Sequence, residues 1–220
     1  MIKILLADDH ELFRKGLVSL IENENNIQII GEARNGNDLV EKYFILQPDL
    51  IIADISMPVL SGPEAIRKIK ERVNAVKVLF LSMFNGEDYI YHCYKSGGRG
   101  LVSKDISKPE LLKAITSVAA GKYYFGPDFT EDELEKLIKT YDEEFQELNI
   151  TESIKLTQKE EEILLLIGRG FTSIEIADKL HISKRTVDTH RSHIMQKLGL
   201  ESMPQLIKYS IAYKMRIKST

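Results

Sequence analysis

Five short apolar runs, IKILLA, IQIIGEA, DLIIAD, VKVLFLS and GLVS, recur through residues 1–120, and a segment of helix length separates each from the next. Few folds tolerate such an alternation. Strand-like runs with helical spacers build right-handed βαβ units, so residues 1–120 are expected to form a doubly wound, five-stranded parallel sheet with helices on both faces. The third run carries Leu50, Ile51 and Ile52 and then closes on Asp54, just before the turn-rich SMPVLSGPE. A strand that is apolar on both faces belongs in the middle of a parallel sheet, and its carboxyl end is the edge at which such sheets hold ligands.

The spacers read as helices in detail. Leu12, Phe13, Leu17, Leu20 and Ile21 form one apolar stripe, and the pairs Ser61–Glu64 and Ser107–Glu110 have the spacing of capping boxes. Near Gly121 the rhythm stops. A further box, Thr130–Glu133, with Phe129 and Leu134 as a staple, predicts a helix running to about Leu148. Its apolar residues (Leu134, Leu137, Ile138, Tyr141, Phe145, Leu148) keep to one side and the remainder is acidic. It is either a solvated spacer docked on its own domain or a seam between two protomers. From Leu156 onward the pattern is entirely helical, with Thr157–Glu160 opening the first of four short helices. The expected division is residues 1–120, an acidic helical linker at 121–152, and a compact helical domain at 153–220.

Composition narrows the function. Lys and Arg against Asp and Glu number 15 to 16 in residues 1–120, 3 to 9 in 121–150, and 12 to 8 in 151–220, so the last third carries net charge +4. That charge permits an acidic partner. Cys93 is the only cysteine, which rules out an internal disulfide or a cysteine zinc site. Ile2–Leu6 runs at once into Asp8 and Asp9 and no 18-residue apolar stretch occurs, so a cytoplasmic protein without membrane attachment is expected.

If the first strand lies beside the third, Asp8 and Asp9 at its end converge with Asp54. Carboxylates that close repel one another, and a hard dication such as Mg²⁺ is the natural compensator. The fourth run ends on Ser82, which brings a hydroxyl to the same edge, and the fifth is followed by Lys104, which brings an ammonium. Three acids, a hydroxyl and a lysine around one hole suit phosphoryl transfer, with Asp54 as the nucleophile.

These residues resemble the receiver domain of bacterial two-component response regulators: an acidic doublet (Asp8, Asp9), a central Asp54 followed by Met57 and Pro58, then Ser82 and Lys104. The resemblance implies a flavodoxin-like fold and phosphorylation of Asp54 by a sensor histidine kinase. It also implies Mg²⁺ held through Asp8, Asp9, Asp54 and the backbone carbonyl of Ser56. Two positions depart from the pattern. Leu101 stands where such receivers usually carry an aromatic ring, and Asp105 follows the lysine in place of proline. A dehalogenase-type phosphatase would need a second aspartate at position 56, which is Ser56, and the GGRG at 97–100 precedes a strand where a dinucleotide fingerprint would follow one. A receiver-like regulator that works without phosphate is the alternative that the missing ring leaves standing.

Within the helical region, SIEIADKLHISKRTVDTH has the logic of a helix-turn-helix. One helix ends at Lys179 or Leu180, a three-residue turn follows, and Ser183 caps the second helix. Ala177 allows a close crossing, and Ile176, Leu180, Val187, Ile194 and Leu198 supply the apolar contacts. The region is similar to the LuxR/FixJ-type (NarL-like) DNA-binding domain, through Leu156, Thr157, Glu160, Gly170, Ile176, Ala177, Ser183, Val187, His190 and Lys197 among others. The resemblance implies double-stranded DNA as partner, with Asp188, Thr189 and Ser192 toward bases and Lys184, Arg185, Arg191 and Lys197 toward phosphates. It implies a homodimer paired through Leu206, Ile207, Ser210 and Ile211 of the last helix.

Overall fold

The computed structural model describes residues 1–83, 86–147 and 156–217, without the side chains of 144–147, 212 and 214–217. Leu148 and the side chain of Phe145 lie outside the described residues. The chain divides into two compact units, Met1–Glu135 and Lys136–Thr220.

In the first unit the strands are β1 (Ile2–Ala7), β2 (Ile27–Ala33), β3 (Leu50–Asp54), β4 (Val78–Ser82) and β5 (Gly100–Ser103), all parallel, in the order β2-β1-β3-β4-β5. Every residue of β3 and β4 is buried, which is why both runs are apolar on each face. The helices are α1 (Glu11–Ile21), α2 (Gly36–Leu46), α3 (Gly62–Lys70), α4 (Glu87–Lys95) and α5 (Lys108–Ala119). Leu17 and Ile21 of α1 and Leu111, Ala114, Ile115 and Val118 of α5 cover Ile4, Leu6, Ile52, Leu79, Leu81 and Val102 on one face of the sheet. By the alternation of a strand, Leu5, Ala7, Ile51, Ala53, Phe80 and Leu101 point to the other face, where they are equally buried. Beyond β5, Tyr124 adds one parallel bridge to Gly100.

Local signals behaved unequally. Ser61 and Glu64 form their capping box at α3, and Thr130 and Glu133 form theirs at the start of α6 (Glu131–Glu147). Ser107 stands at the N-cap of α5 without a side-chain bond, so the box expected with Glu110 does not form there. The α1 stripe needs correcting. Leu17 and Ile21 are buried, but Leu12 is 86% exposed and Leu20 39%. The helix is rotated so that Arg14 faces inward, its Nη1 donating to the Asp8 carbonyl at 2.7 Å and its Nε to Glu32 at 2.9 Å. Two partners for a buried guanidinium outweigh the burial of one more leucine.

The second unit holds α7 (Gln158–Ile167), α8 (Ser173–Leu180), α9 (Lys184–Leu198) and α10 (Met203–Ile217). Ile163, Leu164, Ile176, Val187, Ile194 and Leu206 make its core. Thr157 and Thr172 close capping boxes with Glu160 and Glu175, and His181 takes a left-handed conformation (φ 53°) to end α8. Ser183 then accepts the Thr186 N–H at 3.0 Å and starts α9. No described helix is long and apolar enough to cross a membrane.

Candidate phosphoryl site and helix-turn-helix

Because β1 pairs with β3 and β3 with β4, the ends of β1, β3, β4 and β5 open on one edge. Asp8 and Asp54 are buried there, and Lys104 bridges them. Its Nζ lies 2.8 Å from Asp8 Oδ2 and 2.7 Å from Asp54 Oδ2. The lysine is held from behind by its own backbone, whose N–H donates to the Ser82 carbonyl at 2.9 Å. Ser82 is buried at the neighbouring strand end, and the Ser56 N–H donates to Asp54 Oδ1 at 3.3 Å. The loop after β3 is pinned twice: Gly62 donates to the Ile55 carbonyl and Gly36 to that of Leu60, each at 3.0 Å.

Burial pushes the Asp54 carboxyl up, nearby Asp8 adds to the rise, and Lys104 opposes it; the outcome is about 7. Burial alone would release the Lys104 proton, but Asp54 and Asp8 outweigh it and raise that group. Asp8, Asp9 and Asp54 thus converge as the sequence predicts, and Lys104 with them.

Those donors fit a hard dication. With all three carboxylates ionised, one ammonium leaves two negative charges uncompensated. Asp8 Oδ2 also receives no directed hydrogen bond, only the ionic contact to Lys104. One ligand atom from each of Asp8, Asp9, His10 and Asp54 lies within 4.8 Å of the others. Sequence reasoning missed His10 and Arg14. The signal for Arg14 is its place three residues before Leu17, on the inward side of α1. Cys93 is fully buried, its thiol pushed up by burial and donating to the Gly100 carbonyl.

In the helical unit, Val187 and Ile194 turn α9 so that Arg185, Thr189, Ser192, His193 and Gln196 are exposed. The last two were missed, though the steps from Thr189 to His193 and Ser192 to Gln196 give them away. Lys184 is exposed and pairs with Asp188 at 3.3 Å. Arg191 is half-buried, bonded to Ser173 and to the Met203 sulfur. Lys197 binds Glu160 Oε2 at 2.7 Å. Glu160 sits under two opposing influences: its burial works upward, and hydrogen bonds from Lys197 and Thr157 overcome it and hold the carboxyl at about 2. That support is complete above the ordinary carboxylate range and lost as the pH falls toward 2.

Replacing Lys197 with Met is expected to cost the helical unit about 1–3 kcal/mol, since Glu160 would stay buried without its cation. Adding Glu160→Gln should recover most of that loss in thermal unfolding. A Lys197→Met chain of unchanged stability would show that water replaces the ammonium.

The last helix differs from expectation. Leu206, Ser210 and Ile211 are buried within the protomer, and Gly168 packs so closely that a Cβ there would lie 2.5 Å from the Ser210 carbonyl. The face read as a dimer seam is thus the one α10 presents to its own domain.

The comparisons agree with this geometry. Residues 4–116 match the response regulator receiver domain, and residues 155–210 match the luxR family of bacterial regulatory proteins. The oxygen regulatory protein NreC of Staphylococcus aureus (strain JH9) is 34% identical over 215 residues, covering 97% of this chain and 98% of NreC. Among solved structures, the two-component response regulator RcsB in complex with DNA is 26% identical with a TM-score of 0.56, over 96% of this chain and 98% of that one. A LuxR-family two-component response regulator from Aurantimonas sp. SI85-9A1 is 29% identical with a TM-score of 0.57, over 62% of this chain and 97% of that one. An aspartate-lysine pocket on a β2-β1-β3-β4-β5 sheet, followed by a four-helix unit of luxR type, places the chain in the family of two-component response regulators.

Proposed function

We propose that Asp54 accepts a phosphoryl group from a sensor histidine kinase in the cytoplasm, and that this controls dimerisation and sequence-specific binding of double-stranded DNA. In this reading residues 1–120 receive the signal, 121–152 link, and 153–220 bind DNA. The observation that carries it is Lys104 held between buried Asp8 and Asp54 at 2.8 and 2.7 Å. An Asp54 oxygen attacks phosphorus as the P–N bond to the kinase's histidine breaks and the imidazole leaves, while Lys104 follows the charge from the carboxylate to the incoming phosphoryl oxygens and Ser82 offers its hydroxyl to one of them. Mg²⁺, held by Asp8, Asp9, Asp54 and the Ser56 carbonyl, would neutralise charge on those oxygens.

The exposed α9 face would enter the major groove. Thr189 and Ser192, with Asp188, meet base edges there, while Lys184, Arg185, Arg191 and Lys197 neutralise phosphates. The family match supports a paired protomer reading two half-sites about one helical turn apart.

The test is incubation with acetyl phosphate and Mg²⁺, followed by intact mass and by sequencing of the genomic fragments the protein retains. The expected result is one phosphoryl adduct, and a paired motif enriched only in the treated protein. The same fragments retained with and without the adduct would favour regulation independent of phosphate, which the aliphatic Leu101 at the usual ring position already invites.

A further inference from the structure

We propose that His10 is an additional ligand of this pocket, and that it shifts the preferred ion from Mg²⁺ toward a first-row transition dication such as Mn²⁺. The inference rests on the reading above in one respect, that a dication sits among Asp8, Asp9 and Asp54. His10 follows Asp9 directly and stands at the N-cap of α1, yet its side chain caps nothing. Instead the ring turns to the acids: Nδ1 lies 3.1 Å from Asp9 Oδ1 and 3.3 Å from Asp8 Oδ1. The backbone fixes that posture, since the His10 N–H donates to Asp8 Oδ1 at 2.8 Å.

The spacing is that of a coordination sphere. Donors about 2.1 Å from a shared ion stand about 3 Å apart when adjacent and about 4.2 Å apart when opposite. One atom each from Asp8, Asp9, His10 and Asp54 lies within 4.8 Å of the rest, so a small contraction closes them on one ion. Mg²⁺ demands oxygen and gains little from a nitrogen, whereas Mn²⁺, which also favours oxygen, is a first-row transition ion that gains more from an imidazole. The ring is 60% exposed, so no packing has to break for it to reach an ion.

The experiment uses the full chain at about pH 8, with Mn²⁺ as the spin probe. Pulsed electron paramagnetic resonance is expected to show nitrogen modulation from a bound imidazole in the parent and none in His10→Ala. Mn²⁺ affinity should fall about 10-fold in that variant, and Mg²⁺ affinity, read by competition, less than about 2-fold. Absence of nitrogen modulation in the parent, its persistence in His10→Ala, or equal losses for both ions would overturn the assignment of His10. If Mn²⁺ binds the parent and an Asp54→Ala chain alike, the pocket reading itself falls, and the role of His10 with it.

Discussion

An Asp54→Asn variant is expected to lose the phosphoryl adduct completely and, in metal-free buffer above pH 7, to be more stable than the parent. The second half follows from where the carboxylate sits. Asp54 is buried, Asp8 beside it is buried too, and Lys104 is the cation between them. Burial and Asp8 raise the Asp54 carboxyl to about 7 against the pull of Lys104. Folded chains therefore keep this proton up to about pH 7, whereas unfolded chains release it near pH 4. Between those limits the folded state binds more protons, so stability falls as the pH rises. The contribution is fully present below about pH 4 and lost above about pH 7, a difference on the order of 4 kcal/mol.

Asparagine carries no such charge, and its side-chain oxygen can still accept from Lys104. The variant should match the parent within about 1 kcal/mol near pH 5 and exceed it by about 2–4 kcal/mol at pH 8, read from urea unfolding with a chelator present. A gap that does not widen with pH would mean that Lys104 and the Ser56 N–H already compensate the ionised carboxylate. Divalent ion should narrow the gap. At about 100 times its dissociation constant a ligand adds about 2.7 kcal/mol, and the parent, with one more carboxylate, gains more of it.

That pocket was legible because the chemistry sits at strand ends. Once β3 and β4 are recognised as strands buried on both faces, parallel order carries Asp8, Asp54, Ser82 and Lys104 to one edge without any knowledge of side-chain positions. Features that depend on how a helix is rotated were not legible. Hydrophobic spacing on α1 counts Leu12 and Leu20 inward, and although Arg14 shares the side of Leu17 and Ile21, no pattern of residue types announces that a buried guanidinium will find the Asp8 carbonyl and Glu32. The same limit hid the α10 face. An apolar stripe says that a helix buries one side, and leaves open whether the covering surface is its own domain or a second protomer. Spacing also does not guarantee a capping box: Ser107 and Glu110 have the required interval, yet Ser107 makes no side-chain bond at the start of α5.

Two glycines separate the rigid part of the receiver from its tolerant part. A methyl group added at Gly62 would stand 2.1 Å from the Asp54 carbonyl oxygen and 3.3 Å from the Phe80 ring. Neither neighbour can give way. The carbonyl belongs to the backbone of Asp54 itself, on a fully buried strand, and Phe80 is among the largest fully buried side chains. Gly62→Ala must therefore push α3 and the end of β3 apart by about 1 Å, at a cost of about 3 kcal/mol or more. Since a 1 Å error in a reacting group can cost about 100-fold, adduct formation from acetyl phosphate should slow at least 10-fold. Gly16 is the control. It lies in α1, and a methyl group added there would meet no atom within 4 Å, so Gly16→Ala should add about 0.5–1 kcal/mol and leave the adduct rate unchanged. Opposite signs from one chemical change, read by urea unfolding and by timed intact mass, would locate the strain at the base of Asp54. A Gly62→Ala chain as stable and as quickly phosphorylated as the parent would mean that the loop after β3 yields, and that its two pinning hydrogen bonds do not fix Asp54.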